Sequence, residues 1–211
     1  MLITESLYNL LYNLPSAPPE MGGLLGQSKN TINTIFVDSG KISFRKSCQY
    51  VPNELLLNQT ISDWDAQGII FKGIFHTHKE GHGCQCLSSA DIVYIRSIMN
   101  AYVKKLYFPI VIPHTGVFPY LAVYDQLSGL SITAEELNLT LYYNKKEKNI
   151  MDKNNITSVK IPAGAFCGHN CSDGCIYWNP YDRDSNGRQY CSHYDTYYYP
   201  RERQGCLSYE D

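Results

Sequence analysis

Between residues 73 and 91 the chain carries Gly73-Ile-Phe-His76-Thr-His78, a loop, and then Ser88-Ser-Ala-Asp91. Side chains alternate along a strand, so histidines two positions apart share one face. Two neutral imidazoles and a carboxylate are three protein ligands, the number a catalytic zinc takes while its fourth position stays open to water. Upstream, Glu20 precedes Met-Gly-Gly-Leu-Leu-Gly26. A carboxylate near such a site, outside the ligand set, has the chemistry of a general base. Each piece also has a plainer explanation. A His-x-His pair packs in many cores, Ser-x-x-Asp before an apolar helix is a capping box, and a glutamate after Pro18-Pro19 suits a solvated turn. The ordered set of Glu, His-x-His and Ser-x-x-Asp has no such explanation.

The elements that must position these groups are readable from periodicity. Leu7, Leu10, Leu11 and Leu14 form the stripe of a short helix over 4–14, with Thr4 as N-cap and Pro15 as its stop. Glu20–Gly26 and Thr31–Val37 read as strands, and Asp38-Ser-Gly40 as a turn into a further strand over 41–45. Pro52-Asn-Glu-Leu opens a helix with Leu57, Ile61 and Trp64 on one face, closed by Gly68 at C′. Ile69–His76 is an apolar run of strand length, expected to be central and covered on both faces.

A helix is expected over Asp91–Leu106, with Ile92, Ile95, Met99 and Tyr102 inward and Lys104-Lys105 in its last turn. Strands follow over 107–112 and 117–124, and Leu137, Leu139, Leu141 and Tyr143 alternate across another. The fold class is therefore α/β (α+β), a mixed sheet flanked by helices. The polar run 144–160 reads as a linker between a domain over 1–143 and a cysteine- and tyrosine-rich tail over 161–211.

Composition narrows the functional classes. Hydrophobic residues are 44% of the 211, and charged residues 18%, which fits a globular protein with a core. A net charge of −2 gives no electrostatic case for nucleic acid or an anionic membrane as partner. Met1-Leu-Ile-Thr-Glu-Ser-Leu has neither the basic nor the apolar region of a secretory signal, and no run is long enough to span a bilayer. A cytoplasmic location is the expectation, where the eight cysteines stay reduced and a cluster of them favours metal over disulfides.

The ordered set resembles the JAMM motif of the MPN+ (JAB) zinc metalloproteases over roughly residues 1–143. The resemblance implies that His76, His78 and Asp91 hold a zinc ion, that Glu20 acts on the attacking water, and that Ser88 stabilises the tetrahedral intermediate. It implies hydrolysis of an amide or isopeptide bond at the C-terminus of a ubiquitin-like or sulfur-carrier protein. The chain departs from the pattern at Lys79, where proline is usual. Its loop before Ser88 is also longer and contains His82, Cys84 and Cys86; it reads as an ordinary surface loop bordering the site, and a Cys84 thiolate in the metal's water position is the alternative. A non-catalytic MPN scaffold is a second reading, although such relatives usually lack ligands that this chain has. A nucleic-acid-linked role, as in JAB-like domains of the RadC type, is a third.

In the tail, Cys171, Cys175, Cys191 and Cys206 are the preferred set for a second, structural zinc, with Cys167, His169 and His193 as substitutes. A disulfide-stapled or disordered tail is the plain alternative. Trp178, Tyr194 and Tyr197-Tyr198-Tyr199 suit a small domain around a metal, or a face that grips a partner.

Overall fold

The computed structural model describes residues 1–17, 19–41, 50–80, 85–101, 105–125, 127, 129–141, 161–166, 178–191 and 196–198. Among them lie three helices and a curled mixed sheet, a mixed α+β arrangement. The helices are α1 (Glu5–Tyr12), α2 (Glu54–Ala66) and α3 (Ser89–Ala101). The first strands are β1 (Leu2–Thr4), β2 (Gly22–Ser28), β3 (Thr31–Asp38) and β4 (Ile70–Thr77). After α3 come β5 (Lys105–Tyr107), β6 (Ile110–Ile112), β7 (Gly116–Phe118), β8 (Tyr120–Asp125), β9 (Gly129–Ala134) and β10 (Asn138–Thr140).

The main path through the sheet runs β10-β1-β3-β2-β4-β5-β8-β9, with β6 pairing β4 and β7. Its two ends, β9 and β10, are neighbours in sequence, joined by residues 135–137. Four peptide steps reach at most about 14 Å. The sheet must therefore curl until its outer strands nearly meet.

The central strands separate two apolar layers by simple alternation. Leu24 and Ile74 face α2 and α3, where they pack with Leu57, Ile61, Trp64, Ile95, Ile98 and Met99. Leu25 and Phe75 face the other way, toward Leu7 and Leu11 of α1 and Leu14 just beyond it. Each fully buried side chain of this size contributes about 1.5–3 kcal/mol. Two layers explain why the run 69–76 is apolar at nearly every position.

Local signals act where expected. Thr4 caps α1 by accepting from the Leu7 amide at 3.3 Å. Asn53 caps α2 by accepting from the Leu56 amide at 3.3 Å. Gly68 ends α2 at φ +72°, in the left-handed region. Close approach rather than φ explains Gly73: a Cβ there would lie 2.1 Å from the Tyr107 carbonyl oxygen across the β4–β5 pair.

Several expectations are corrected. The helix expected over 91–106 gives way to strand by Lys105, because Lys105–Tyr107 pair with β8 and Tyr107 also with β4. Its inward face differs as well: Ile92 is exposed, while Tyr94 and Ile98 are buried. The strands expected over 107–112 and 117–124 are each broken, at residues 108–109 and at Pro119. A proline there supplies no amide to a ladder. Within the pattern over 137–143 only residues 138–140 are strand, an edge strand whose Leu139 is exposed, followed by an exposed Leu141; Tyr143 lies outside the described residues. Strands β1 and β9 were not anticipated. The strand expected over 41–45 lies largely outside the described residues.

In the tail, β11 (Trp178–Arg183), β12 (Gln189–Cys191) and β13 (Thr196–Tyr198) form an antiparallel three-stranded sheet. Asp184 organises the β11–β12 turn by accepting from the Asn186 and Arg188 amides. Ile161 and Phe166, at the two ends of the segment that opens the tail, are buried in the main core.

Two glycine substitutions separate the two reasons for glycine. In Gly68→Ala the added methyl meets open space, so only the positive φ resists it, at about 1–2 kcal/mol. Gly73→Ala meets backbone, and we expect a loss of about 3 kcal/mol or more. Urea denaturation of the two variants measures both, and equal losses would contradict the close-approach account.

Candidate metal centre

The C-terminal end of β4 is held on both sides. Its Gly22↔His76 register joins it to β2, and there the Thr77 amide donates to the Met21 carbonyl at 2.7 Å. The Met21 amide returns a bond to the Thr77 hydroxyl at 2.9 Å. On the other side the His76 amide donates to the Pro109 carbonyl and the His78 amide to the Val111 carbonyl, at 3.3 and 2.9 Å. The backbone under both histidines is thus fixed by strands rather than by loops. Alternation then turns both imidazoles toward α3, and their rings meet edge to face with centroids 4.6 Å apart.

The start of α3 brings the third group. Ser88 and Asp91 form a reciprocal capping box. The Asp91 amide donates to Ser88 Oγ at 3.1 Å, and the Ser88 amide donates to Asp91 Oδ2 at 2.7 Å. The plain reading of Ser-x-x-Asp is therefore true, and it also serves the site. The cap fixes the Asp91 rotamer so that Oδ1 lies 3.3 Å from His76 Nε2 and Oδ2 lies 3.6 Å from His78 Nε2. The amide end of the helix further favours a carboxylate in its first turn.

His76, His78 and Asp91 are all buried, and one ligand atom from each lies within 4.8 Å of the others, so the group can hold a metal ion. The chemistry of the donors fits. His76 Nε2 and His78 Nε2 are 2.8 Å apart, so in the absence of a cation one of them must carry the proton that joins them. A cation can take that proton's place between the two lone pairs. The separations of 2.8–3.6 Å bracket the edge of about 3.3 Å implied by tetrahedral bonds of 2.0–2.1 Å. Burial holds the His76 imidazole below its ordinary pKa, against the opposing pull of Asp91, which favours the neutral ligand form. Burial alone would raise the Asp91 carboxyl, but the two imidazoles outweigh it and keep the group well below the usual range.

Glu20 is buried just ahead of β2. The bonds between Met21 and Thr77 continue the β2–β4 register outward, which brings Glu20 level with His78. It is not one of the three converging groups. Gly22, opposite His76, leaves room for the Tyr50 ring, whose Cε1 a Cβ would approach to 2.2 Å.

Sequence reasoning missed the back wall of the site. Phe166 stacks on the His76 ring with centroids 4.4 Å apart and planes 17° from parallel. Tyr50 lies parallel to Phe166 at 6.0 Å, and its hydroxyl donates to Asp38 Oδ2 at 2.9 Å. No local pattern marks a phenylalanine ninety positions from its partner.

Of the loop residues, Cys86 is an exposed free thiol near Tyr120, whose hydroxyl donates to the Gln85 carbonyl at 3.0 Å. His82 and Cys84 lie outside the described residues. So do Cys167, His169, Cys171, Cys175, His193 and Cys206 of the tail, while Cys191 ends β12.

No family model matches the chain, and no curated protein does. Among solved structures, the solution structure of protein DSY2949 from Desulfitobacterium hafniense is similar at a TM-score of 0.47 and 15% identity. The match covers 68% of this chain and 94% of that one. Likeness at that level carries no argument about fold or function. Among the described residues, no helix is long and apolar enough to cross a membrane.

Two measurements check this geometry. Metal content per chain should fall by one equivalent in His76→Ala/His78→Ala relative to wild type, and unchanged content would remove the assignment. Ser88→Ala should cost about 1 kcal/mol of stability through the lost cap while metal content stays at the wild-type value.

Proposed function

We propose that the chain is a zinc-dependent peptidase of the JAMM type on an MPN/JAB-like fold, with zinc held by His76, His78 and Asp91. Its substrate class is an amide or isopeptide bond at the C-terminus of a ubiquitin-like or sulfur-carrier protein. The observation that carries this reading is the convergence of three buried ligand groups behind a Ser88 cap, with Glu20 in register beside them. When bound, zinc supplies a Lewis acid and lowers the pKa of water toward about 7.

The protein groups divide the remaining work. Burial favours the neutral, ligand form of His76. Glu20, outside the ligand set, takes a proton from the attacking water and delivers it to the departing amine as the C–N bond breaks. The Ser88 hydroxyl accepts from the Asp91 amide and keeps its own proton for the oxyanion that develops on the carbonyl. Such a donor is worth about 2.7–4 kcal/mol in the transition state. The cysteine- and tyrosine-rich tail, with a second, structural zinc at Cys171, Cys175, Cys191 and Cys206, serves substrate recognition.

The deciding experiment compares wild type with Glu20→Gln on fluorogenic C-terminal amides of ubiquitin-like and sulfur-carrier proteins. Glu20→Gln should retain its metal and lose about 10²–10⁴-fold in kcat. Wild-type rates in metal-replete Glu20→Gln would overturn the assigned role. Absence of cleavage by metal-replete wild type across the panel would overturn the substrate class.

A further inference from the structure

A ligating histidine ordinarily has its ring plane set by a hydrogen bond from its second nitrogen to a carboxylate or carbonyl. His76 is fully buried, and its Nδ1 has no hydrogen-bond partner among the described residues. What touches the ring instead is the face of Phe166, nearly parallel at 4.4 Å.

Phe166 is itself firmly held. It forms an antiparallel bridge with Tyr50: the Phe166 amide donates to the Tyr50 carbonyl at 2.9 Å, and the Tyr50 amide to the Phe166 carbonyl at 3.2 Å. Tyr50 flanks it on one side at 6.0 Å, and Tyr94 meets it edge to face at 4.8 Å. The strap that carries it is anchored to both helices of that layer. Asn58 of α2 exchanges two bonds with the Ile161 backbone, at 2.7 and 3.1 Å. The Tyr94 hydroxyl of α3 donates to the Pro162 carbonyl at 2.8 Å. Gly164 passes so close that a Cβ would lie 2.2 Å from the Tyr94 ring.

We propose that Phe166 is a positioning residue for the metal centre, and that residues 161–166 complete the site by setting the plane of the His76 imidazole through stacking in place of a hydrogen bond. The three candidate ligands then come from the first 91 residues, and the ring behind His76 from the beginning of the tail. This inference rests on the metal assignment to His76, His78 and Asp91, and not on the substrate class.

The test uses the full-length chain and cobalt(II) as the probe. Affinity comes from chelator competition, and the spectrum is read as the component that disappears in His76→Ala/His78→Ala. Phe166→Leu keeps an apolar group without a flat face. It should weaken cobalt binding by about 10–100-fold and change the d–d absorption. Phe166→Tyr keeps the ring and should restore both. Leu11→Ala, in the apolar layer on the other side of the sheet, should lower thermal stability and leave both unchanged.

Folded Phe166→Leu with wild-type affinity and spectrum would overturn the proposal. A His-dependent cobalt component absent from wild type would instead overturn the metal assignment beneath it. Should Phe166→Leu not fold, the wild-type chain still decides through its proton spectrum. Stacking requires the imidazole C–H signals of His76 to lie upfield of those of His78, and unshifted signals would contradict it.

Discussion

The constraint on which the site depends is a carboxylate buried to zero exposure. Removing a charge from water costs several kcal/mol unless partners replace the lost hydration. Asp91 finds those partners in three separate places: the Ser88 amide in its own helix cap, the nitrogens of His76 on β4 and of His78 just past it, and the amide end of α3. The end of β4 and the start of α3 must therefore meet. The two-sided pairing of β4 and the packing of α3 on the same apolar layer achieve this. A buried carboxylate and two buried imidazoles sharing one small space offer three donors, so the group can hold a cation.

Close approach of backbones is the second requirement. Gly73 lets β5 lie against β4, and Gly22 opens the space that the Tyr50 ring fills. Tyr50 connects two features that are distant in sequence. Its hydroxyl bonds Asp38, which also accepts from the Asn53 amide at the cap of α2, and its ring lies on Phe166. A polar network on one side and an aromatic stack on the other thereby hold the wall behind His76.

Much of this was legible in the chain. The cap at Thr4, the helix start at Pro52-Asn-Glu-Leu, the C′ glycine at 68 and the three helices follow from local rules, because each depends on residues within a few turns. The convergence of His76, His78 and Asp91 was legible too, since strand alternation and a capping box constrain side-chain direction over short spans. The break of α3 into β5 was not. Leu106 suits a helix by period, yet strand pairing with residues 73 and 121–123 prevails over that local preference. The exposure of Ile92 and burial of Tyr94 were likewise decided by which neighbours α3 meets.

The sequence alone determined the kind of chemistry available, because ligand type and spacing along one strand and one helix cap are local properties. Tertiary structure alone decided that the sheet curls until β9 and β10 approach, that Glu20 comes level with His78, and that Phe166 backs His76. These are contacts between residues tens of positions apart. No periodicity encodes such contacts, because they arise only when separate elements compete to bury their apolar faces against one another.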